Sequence, residues 1–342
     1  MLKTLEKLCA PIAVSGDEKR LCSIIKNEVE PFCDKVYTDL AGNLICQKRG
    51  KTAAKSKIMI AAHMDEVGFV ITSVTDDGLL KFASVGGIDE RIFLGKKVCI
   101  CGKKELVCGV IGTVPPHLLS KERSSAVLKE DELYINIGAE SKEDALLNVS
   151  LGDCGTLTGD FVNFGGGKIM SRALDDRCGC AVLIKLLKSE LACDITAVFT
   201  VQEEIGLRGA QIAASAIKPD IAIVIDSTTA CDVNDIPDEK TVCNLNKGGV
   251  VSFMDRGCAY DRELFNLILK TAEDNNIPAQ VKRAVAGAND SASIHKIAGG
   301  VRTAAISLPC RYIHSPNSVI ASEDLNSVYA LVLALLPEIK EL

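Results

Sequence analysis

The sequence has 342 residues, with 45 acidic side chains against 39 basic ones and a net charge of −6. Its 47% hydrophobic and 25% charged residues are typical of a folded globular protein and argue against a disordered chain. The length exceeds that of a common single domain, so we expect two domains or one domain inserted into another. The mild acidity and the lack of a basic patch predict no nucleic-acid partner.

Cysteine is abundant, with 15 residues, whereas histidine occurs only 4 times. The cysteine fraction lies well below the ~8–10% of short disulfide-bonded secreted chains, and no C-x-x-C pair occurs. We therefore expect reduced thiols that pack as small apolar groups. No signal peptide is evident between Met1 and Arg20, and no apolar run has the length of a membrane span. These features predict a cytoplasmic protein without membrane contact.

The first predicted elements are a helix and a buried strand. Ser15 and Glu18 have the spacing of a capping box, and apolar residues recur at helical intervals from there to Val29. The run from Ile58 to Ala62 has no polar alternation, which favours a strand covered on both faces, as in a parallel sheet.

From Val67 to Phe164 the chain consists of short β-rich segments separated by Gly and Asp turn signals. Their spacing of about ten residues is typical of a small barrel or sandwich. We therefore expect an inserted all-β, barrel-like domain at residues 67–164. The six predicted strands are Val67–Val74, Leu79–Val85, Lys97–Cys101, Val107–Val114, Leu133–Ile137 and Cys154–Leu157.

From Gly165 onward, strand-like runs alternate with helical patterns, which predicts a mainly parallel sheet flanked by helices. The α/β domain would therefore comprise residues 1–66 and 165–342, split by the all-β domain. The predicted strands are Ile195–Val201, Ile221–Ile225 and Thr303–Leu308. The predicted helices are Arg177–Ser189, Arg208–Ile217, Asp261–Asn275, Ser291–Ile297 and Glu323–Leu336.

Polar residues follow four of the predicted strands, three of them directly and the fourth after two residues. In open α/β sheets ligands bind outside the carboxyl ends of the strands, so these side chains are candidates for a common site. A fifth candidate, Asp175-Asp176-Arg177, starts a predicted helix, where the helix dipole favours carboxylates. The four strand-end groups are His63-Met64-Asp65-Glu66, Gln202-Glu203-Glu204, Asp226 and Arg311-Tyr312-Ile313-His314.

Two imidazoles and several carboxylates, without thiolate, suit a pair of divalent ions such as zinc, cobalt or manganese. Such a pair needs one bridging carboxylate and a base that handles the proton of the attacking water. His63 and Asp65 point to the same side of an extended backbone, so Asp65 can accept a hydrogen bond from the ring nitrogen that does not bind metal. Adjacent Glu203 and Glu204 point in different directions, so one can bind metal while the other faces the substrate.

These residues lie within motifs that together resemble the M42 metallo-aminopeptidases, the glutamyl and tetrahedral aminopeptidase group. The motifs occur in family order and span nearly the whole chain. They are Ala61-Ala62-His63-Met64-Asp65-Glu66-Val67-Gly68, Pro115-Pro116-His117, Ser171-Arg172-Ala173-Leu174-Asp175-Asp176-Arg177, Val201-Gln202-Glu203-Glu204-Ile205-Gly206-Leu207-Arg208-Gly209-Ala210, Asp226 and Arg311-Tyr312-Ile313-His314-Ser315-Pro316.

The resemblance implies an α/β fold of the co-catalytic metallopeptidase type with two divalent ions per subunit, zinc or cobalt, with manganese as an alternative. The implied ligands are His63 and Asp226 for one ion, Glu204 and His314 for the other, and Asp175 as the bridge. Glu203 would be the general base that activates a water molecule, and Asp65 would orient His63. The resemblance also implies that residues 67–164 form a dimerisation domain. The homo-oligomer would be a dimer, or a tetrahedral dodecamer of such dimers.

The implied activity is hydrolysis of the N-terminal residue from short peptides. Two alternatives stay open: another hydrolase on the same site, such as a deacylase, deblocking enzyme or polysaccharide hydrolase, and a non-catalytic scaffold. The preferred N-terminal residue is open as well, because an acidic preference needs a cation in the first pocket, and Arg256, Arg302 and Arg311 are all candidates. Two departures from the family pattern bear on the pocket: Arg302 replaces a usual Pro, and Ala288-Asn289-Asp290 replaces Gly-Thr-Asp.

Overall fold

The computed structural model describes residues 1–118, 126–297 and 299–342. The strands in chain order are β1 (Lys35–Thr38), β2 (Leu44–Lys48), β3 (Ile58–His63), β4 (Gly68–Val74), β5 (Leu80–Val85), β6 (Lys97–Cys101), β7 (Leu106–Gly112), β8 (Tyr134–Asn136), β9 (Cys154–Leu157), β10 (Val162–Gly165), β11 (Lys168–Ser171), β12 (Ile195–Thr200), β13 (Ile221–Thr229), β14 (Gly249–Val251), β15 (Ala279–Val281), β16 (Arg302–Cys310) and β17 (Ser318–Ala321). The α-helices are α1 (Leu2–Cys9), α2 (Lys19–Val29), α3 (Lys142–Asn148), α4 (Leu174–Leu187), α5 (Arg208–Ile217), α6 (Arg262–Asp274), α7 (Ser291–Ile294) and α8 (Ser322–Ile339).

A mixed eight-stranded sheet forms the larger part of the fold, in the order β1-β2-β12-β3-β13-β16-β14-β15. Its four central strands, β12, β3, β13 and β16, are mutually parallel. All six residues of β3 are buried, and its alternate side chains pack on opposite faces. One face is covered by helices that include α4 and α8, and the other by α5 and α7. The predicted α/β class with a central parallel sheet is confirmed.

The second structural unit is a closed antiparallel barrel with the strand order β4-β5-β8-β7-β6-β9. Each of the six β segments predicted from the sequence overlaps one of these strands, which confirms the barrel-like fold. Its core is centred on Phe69, Phe82 and Phe93, which meet edge to face. The short helix α3 between β8 and β9 was not predicted.

The chain beyond the barrel runs into a separate three-stranded sheet. The barrel strands lie between Gly68 and Leu157, whereas β10 pairs with β11, and β11 pairs with β17. The predicted domain of residues 67–164 therefore extends past the barrel into β10, and it includes residues 119–125, which lie outside the described part. The division of the chain at 66 and 165 stays a prediction.

The capping box predicted for the first helix is wrong. Helix α2 begins at Lys19, and Glu18 occupies the N-cap position without a capping hydrogen bond from its side chain. Ser15 and Glu18 instead contact residues far along the chain. Helix α1, which precedes them, was not predicted. None of the helices in the described ranges combines the length and apolar character that crossing a membrane requires.

Candidate active site

The parallel strands bring the candidate side chains to one edge of the large sheet. His63 is the last residue of β3 and lies in register with Thr200, the last residue of β12. Asp226 lies within β13, opposite Ser307 of β16. Because parallel strands end on the same edge, the residues that follow β12 and β16 meet His63 there. Asp175, in the first turn of α4, completes the group.

Asp175 lies between the two histidines and offers one carboxylate oxygen to each. Its Oδ1 is 3.2 Å from His63 Nε2, and its Oδ2 is 3.2 Å from His314 Nε2. Asp226 Oδ1 is 3.7 Å from His63 Nε2, and Glu204 Oε1 is 3.3 Å from His314 Nε2. The five predicted ligands thus form two groups that share Asp175. Among the described residues, Asp176 also belongs to a possible metal-binding group with His63 and Asp226, a role that the sequence did not assign to it.

Asp65 connects His63 with the Glu203-Glu204 pair. Its Oδ1 accepts a hydrogen bond from the backbone N–H of Glu203 at 3.0 Å, and its Oδ2 accepts one from that of Glu204 at 3.1 Å. His63 Nδ1 lies 3.1 Å from the backbone oxygen of Asp65 and 3.5 Å from its carboxylate. Asp65 therefore holds the segment that carries Glu203 as well as lying against the ring of His63.

The loop before α2 supports this arrangement from behind, which the sequence did not predict. The hydroxyl of Ser15 donates to Asp65 Oδ2 at 2.6 Å. Glu18 Oε1 accepts from the backbone N–H groups of Gly16, at 2.8 Å, and of Gln202, at 3.1 Å. Ser15, Glu18 and Asp65 are all buried. The N-terminal segment thus fixes the turn that presents Glu203.

The barrel also contributes to the site. His314 Nδ1 lies 2.6 Å from the backbone oxygen of Gly87, on the loop that follows β5. With Nδ1 occupied by this contact, Nε2 is the ring nitrogen that faces Asp175 and Glu204. A backbone partner on one ring nitrogen is the usual way in which a protein orients a metal-binding histidine.

Glu203, Glu204 and Asp226 are buried close together, which disfavours their charged forms. Burial raises the pKa of Glu203 well above its ordinary value, and the nearby Asp290 and Glu204 raise it further. Burial and then Asp175 raise the pKa of Asp226 in the same way. Burial opposes protonation of His314, but its hydrogen bond to Asp175 raises its pKa to about 9. The protein without metal thus compensates for excess negative charge by retaining protons.

The donor set fits divalent ions. Two buried carboxylate oxygens, Asp176 Oδ2 and Glu204 Oε1, have no hydrogen-bond donor in the described part of the chain. Two imidazoles and several carboxylates that converge without thiolate match the preferences of zinc, cobalt or manganese. Cys310, near the site in sequence, is fully buried, and its Sγ donates to the backbone oxygen of Arg311.

A cavity of about 180 Å³ opens beside these groups. Its lining includes Glu203, Ala288 and Asn289, so one of the two family departures does reach the pocket. The three candidate arginines are not among its lining residues. Arg302 binds Asp261 and Glu263, Arg311 binds Asp232, and Arg256 is exposed.

The cation that lines this cavity is Lys282, which sequence reasoning missed. It is buried, and its Nζ donates to the backbone oxygen of Ala286 at 2.7 Å. Burial lowers its pKa, while the nearby carboxylates of Asp255 and Asp226 oppose that effect. Asp255 also lines the cavity, but it already accepts hydrogen bonds from Gly257, Cys258 and Tyr260. Lys282 follows β15 in sequence, and only the folded chain brings it to the cavity.

Imidazoles and carboxylates that converge at the strand ends of an α/β sheet beside a cavity are an arrangement typical of metal-dependent hydrolases. The sequence matches the family described as M42 glutamyl aminopeptidase over residues 42–331. The chain therefore belongs to the M42 family of aminopeptidases, hydrolases that act on peptide bonds.

Individual relatives agree with this assignment over nearly the whole chain. A putative aminopeptidase of Acetivibrio thermocellus is 39% identical over 334 residues, which cover 97% of each protein. An aminopeptidase structure from Desulfurococcus kamchatkensis has 34% identity and a TM-score of 0.93, covering 98% of this chain and 94% of the other. The TET1 peptidase of Pyrococcus horikoshii, described as assembling into a tetrahedron or a large octahedral shell, has 35% identity and a TM-score of 0.86, with 98% of both chains covered.

Proposed function

We propose that this aminopeptidase uses two divalent ions, zinc or cobalt, to remove the N-terminal residue of short peptides. The observation that carries the proposal is the position of Asp175, with one oxygen directed at each of the two imidazoles. In this assignment, one ion is held by His63 and Asp226, the other by Glu204 and His314, and Asp175 is shared. Bound there, the ions would polarise the scissile carbonyl and acidify a water molecule.

Glu203 is the proposed general base. Its carboxyl group lines the cavity, and the backbone on either side of it is held by Asp65. It takes the proton of the attacking water and passes it to the leaving amine as the peptide bond breaks. Burial raises its pKa, the direction that strengthens the carboxylate as a base. Asp65 acts through other residues, by orienting His63 and the Glu203 segment.

Metal content tests the ligand assignment independently of activity. The metal-free enzyme is reconstituted with zinc, cobalt or manganese, and bound metal is measured by elemental analysis. His63→Ala and His314→Ala should each lose one of the two ions, because the two histidines lie on opposite sides of Asp175. Unchanged occupancy in both variants would contradict the assignment. Hydrolysis of amino-acid p-nitroanilides supports the aminopeptidase, whereas turnover of N-acyl substrates alone supports a deacylase.

We further propose that Lys282 gives the enzyme a preference for acidic N-terminal residues. An ammonium group buried in the cavity favours a substrate carboxylate, since an unpaired buried charge is costly. Lys282→Met should lower kcat/KM for a glutamyl p-nitroanilide by about tenfold or more while leaving a leucyl substrate nearly unchanged. The exposed Lys296→Met is the matched control. An equal loss on both substrates would refute this preference.

We also propose an oligomeric state and a cellular location for the protein. The barrel is the proposed dimerisation domain of a dimer or a closed dodecamer, and the tetrahedron described for the P. horikoshii peptidase and the dodecamer described for PhTET1-12s support the larger assembly. Light scattering of the purified protein distinguishes the two. All fifteen cysteines are free thiols, which supports a reducing, cytoplasmic location.

A further inference from the structure

The cysteines are unevenly distributed between the interior and the surface. Nine of the fifteen are buried, as expected for thiols that pack as small apolar groups. Of the other six, four belong to three adjacent strands of the barrel. These are Cys99 and Cys101 of β6, Cys108 of β7 and Cys154 of β9.

The four barrel cysteines share the outer face of the barrel. Val98 and Ile100 of β6 are fully buried in the barrel core, so strand alternation directs Cys99 and Cys101 outward. Cys108 of β7 is exposed and is the most accessible cysteine of the chain. An oxidant in solution can therefore reach Cys108 without opening of the barrel.

Cys99 and Cys108 lie directly opposite each other on neighbouring antiparallel strands. The backbone N–H of Ile111 donates to the oxygen of Lys96 at 3.0 Å, which marks residues 96 and 111 as a hydrogen-bonded pair. Because the two kinds of pair alternate, Cys99 and Cys108, three positions along, form a non-hydrogen-bonded pair. In such pairs the Cβ atoms approach to about 4.5 Å, which reaches the range that a disulfide requires.

The neighbouring pair provides an internal comparison. The pairing of Ile100 with Gly155 places Cys101 and Cys154 opposite each other one position further along. The N–H of Thr158 donates to the oxygen of Lys97 at 3.0 Å, so the same alternation makes Cys101 and Cys154 a hydrogen-bonded pair. Their Cβ atoms are expected about 5.5 Å apart, beyond the disulfide range. The two pairs thus differ in geometry while sharing one surface.

We propose that Cys99 and Cys108 are a dithiol modification site, closed to a cross-strand disulfide by exchange with a small disulfide of the glutathione class. The thiolate of Cys108 attacks the small disulfide, forms a mixed disulfide and releases one small thiol. The thiolate of Cys99 then attacks Cys108 Sγ and releases the second. Two protein thiols are oxidised, one small disulfide is reduced to two thiols, and the two protons pass to the released thiolates.

The test uses the reduced full-length protein incubated with oxidised glutathione. Free thiols are then alkylated, and digested peptides are identified by mass spectrometry. We expect a cross-link between the strand β6 and strand β7 peptides, with the loss of two hydrogen atoms. Because Cys99 and Cys101 share a tryptic peptide, Cys101→Ser should retain the cross-link. Cys154→Ser, the matched control on the same face, should also retain it.

Cys99→Ser gives the sharpest result, because it removes the attacking thiol of the second step. That variant should retain glutathione on Cys108, whereas the wild type should release it. Aminopeptidase activity of each reduced variant verifies folding, since none of these cysteines belongs to the site. Persistent glutathione on Cys108 of the wild type, a cross-link to Cys101, or a cross-link between two copies of the chain would each overturn the proposal.

Discussion

Two groups of buried carboxylates lie near the carboxyl end of β3, and they differ in what balances their charge. Glu66 is held by two guanidinium groups, with Arg177 Nη2 3.0 Å from its Oε1 and Arg172 bound to its Oε2. Across the described ranges, the carboxylates of Asp175 and Asp226 face imidazoles and form no ion pair with lysine or arginine. Glu66 thus has its counter-charges within the chain, whereas Asp175 and Asp226 have no lysine or arginine partner in the described ranges.

The pKa values of Glu66 and Asp226 shift in opposite directions for this reason. Burial alone would raise the pKa of Glu66, but Arg172 and Arg177 lower it below its ordinary value. Asp226 has no such partner, and burial raises its pKa well above its ordinary value. Arg172 also donates to three backbone oxygens of the segment after α1, so its pair with Glu66 ties the N-terminus to the core. Buried acids of the same chemistry thus form ion pairs within the chain in one place and are the proposed cation ligands in the other.

The largest expected effect is a loss of turnover on substitution of a carboxylate in the second group. Glu203→Gln should lower kcat by ~10²–10⁴-fold, because it removes the group that carries the proton. Its neighbour gives a matched control: Glu204→Gln should lose metal, whereas Glu203→Gln should retain it. Kinetics on a p-nitroanilide together with elemental analysis check both expectations. Near-normal turnover of Glu203→Gln would remove the role assigned to it.

Stability should respond with opposite signs in the two groups. Glu66→Gln leaves two buried guanidinium groups without a counter-charge, so the free energy of unfolding should fall by about 3–5 kcal/mol. In metal-free protein, Glu203→Gln replaces a carboxyl group whose charged form is disfavoured by burial and should leave that free energy unchanged or higher. Denaturant titrations of both metal-free variants measure the difference. A loss of similar size at both positions would mean that the two groups do not differ in charge balance.

The contribution of Glu66 to the free energy of unfolding decreases as the pH falls. Because the folded-state pKa of Glu66 is lowered from 4.5, its stabilisation is fully present above that ordinary value. It is lost as the pH falls through the lower folded-state pKa. The Glu66→Gln variant should lack this part of the acid-induced loss of stability, which urea titrations at a series of acidic pH values detect.

Removal of the metal should destabilise the enzyme because the second group loses its bound ions. The ion pairs of Glu66 should not be affected. A ligand at one hundred times its dissociation constant stabilises the folded state by about 2.7 kcal/mol. Chelation should therefore lower the unfolding free energy of wild type and of Glu66→Gln by similar amounts. Calorimetry with and without chelator checks this, and a variant such as His63→Ala should respond less. A chelator effect that vanishes in Glu66→Gln would show that the two groups are coupled.

The hydrophobic pattern of the sequence predicted those elements whose burial follows one regular period along their length. The buried run of β3 and the alternating barrel strands were identified because each carries its own hydrophobic period. The short strands β14, β15 and β17 have three or four residues, too few to establish a period, and they depend on pairing with distant strands.

The convergence of the candidate side chains was predictable where a residue follows a predicted buried strand, as for His63 and Asp226, although the observed strands β3 and β13 include these two residues. Lys282 was missed because its role depends on a cavity assembled from distant segments. Ser15 and Glu18 were misassigned for a related reason. A local capping box and a contact with Asp65, fifty positions away, require the same residue types, so the sequence does not distinguish between them.

The smallest predicted effect concerns that contact. The hydroxyl of Ser15 donates to Asp65, whose carboxylate also accepts from the backbone of Glu203 and Glu204. Hydrogen bonds thus stabilise the charge of Asp65. It is intermediate between Glu66, which has two arginine partners, and Asp226, which has none in the described ranges. Ser15→Ala should lower kcat by about tenfold, or ~1.4 kcal/mol, with little change in KM, because the Glu203 segment loses part of its support. Ser15→Thr, which retains the hydroxyl, should recover most of the loss. If alanine and threonine behave alike, the contact packs the loop without positioning Glu203.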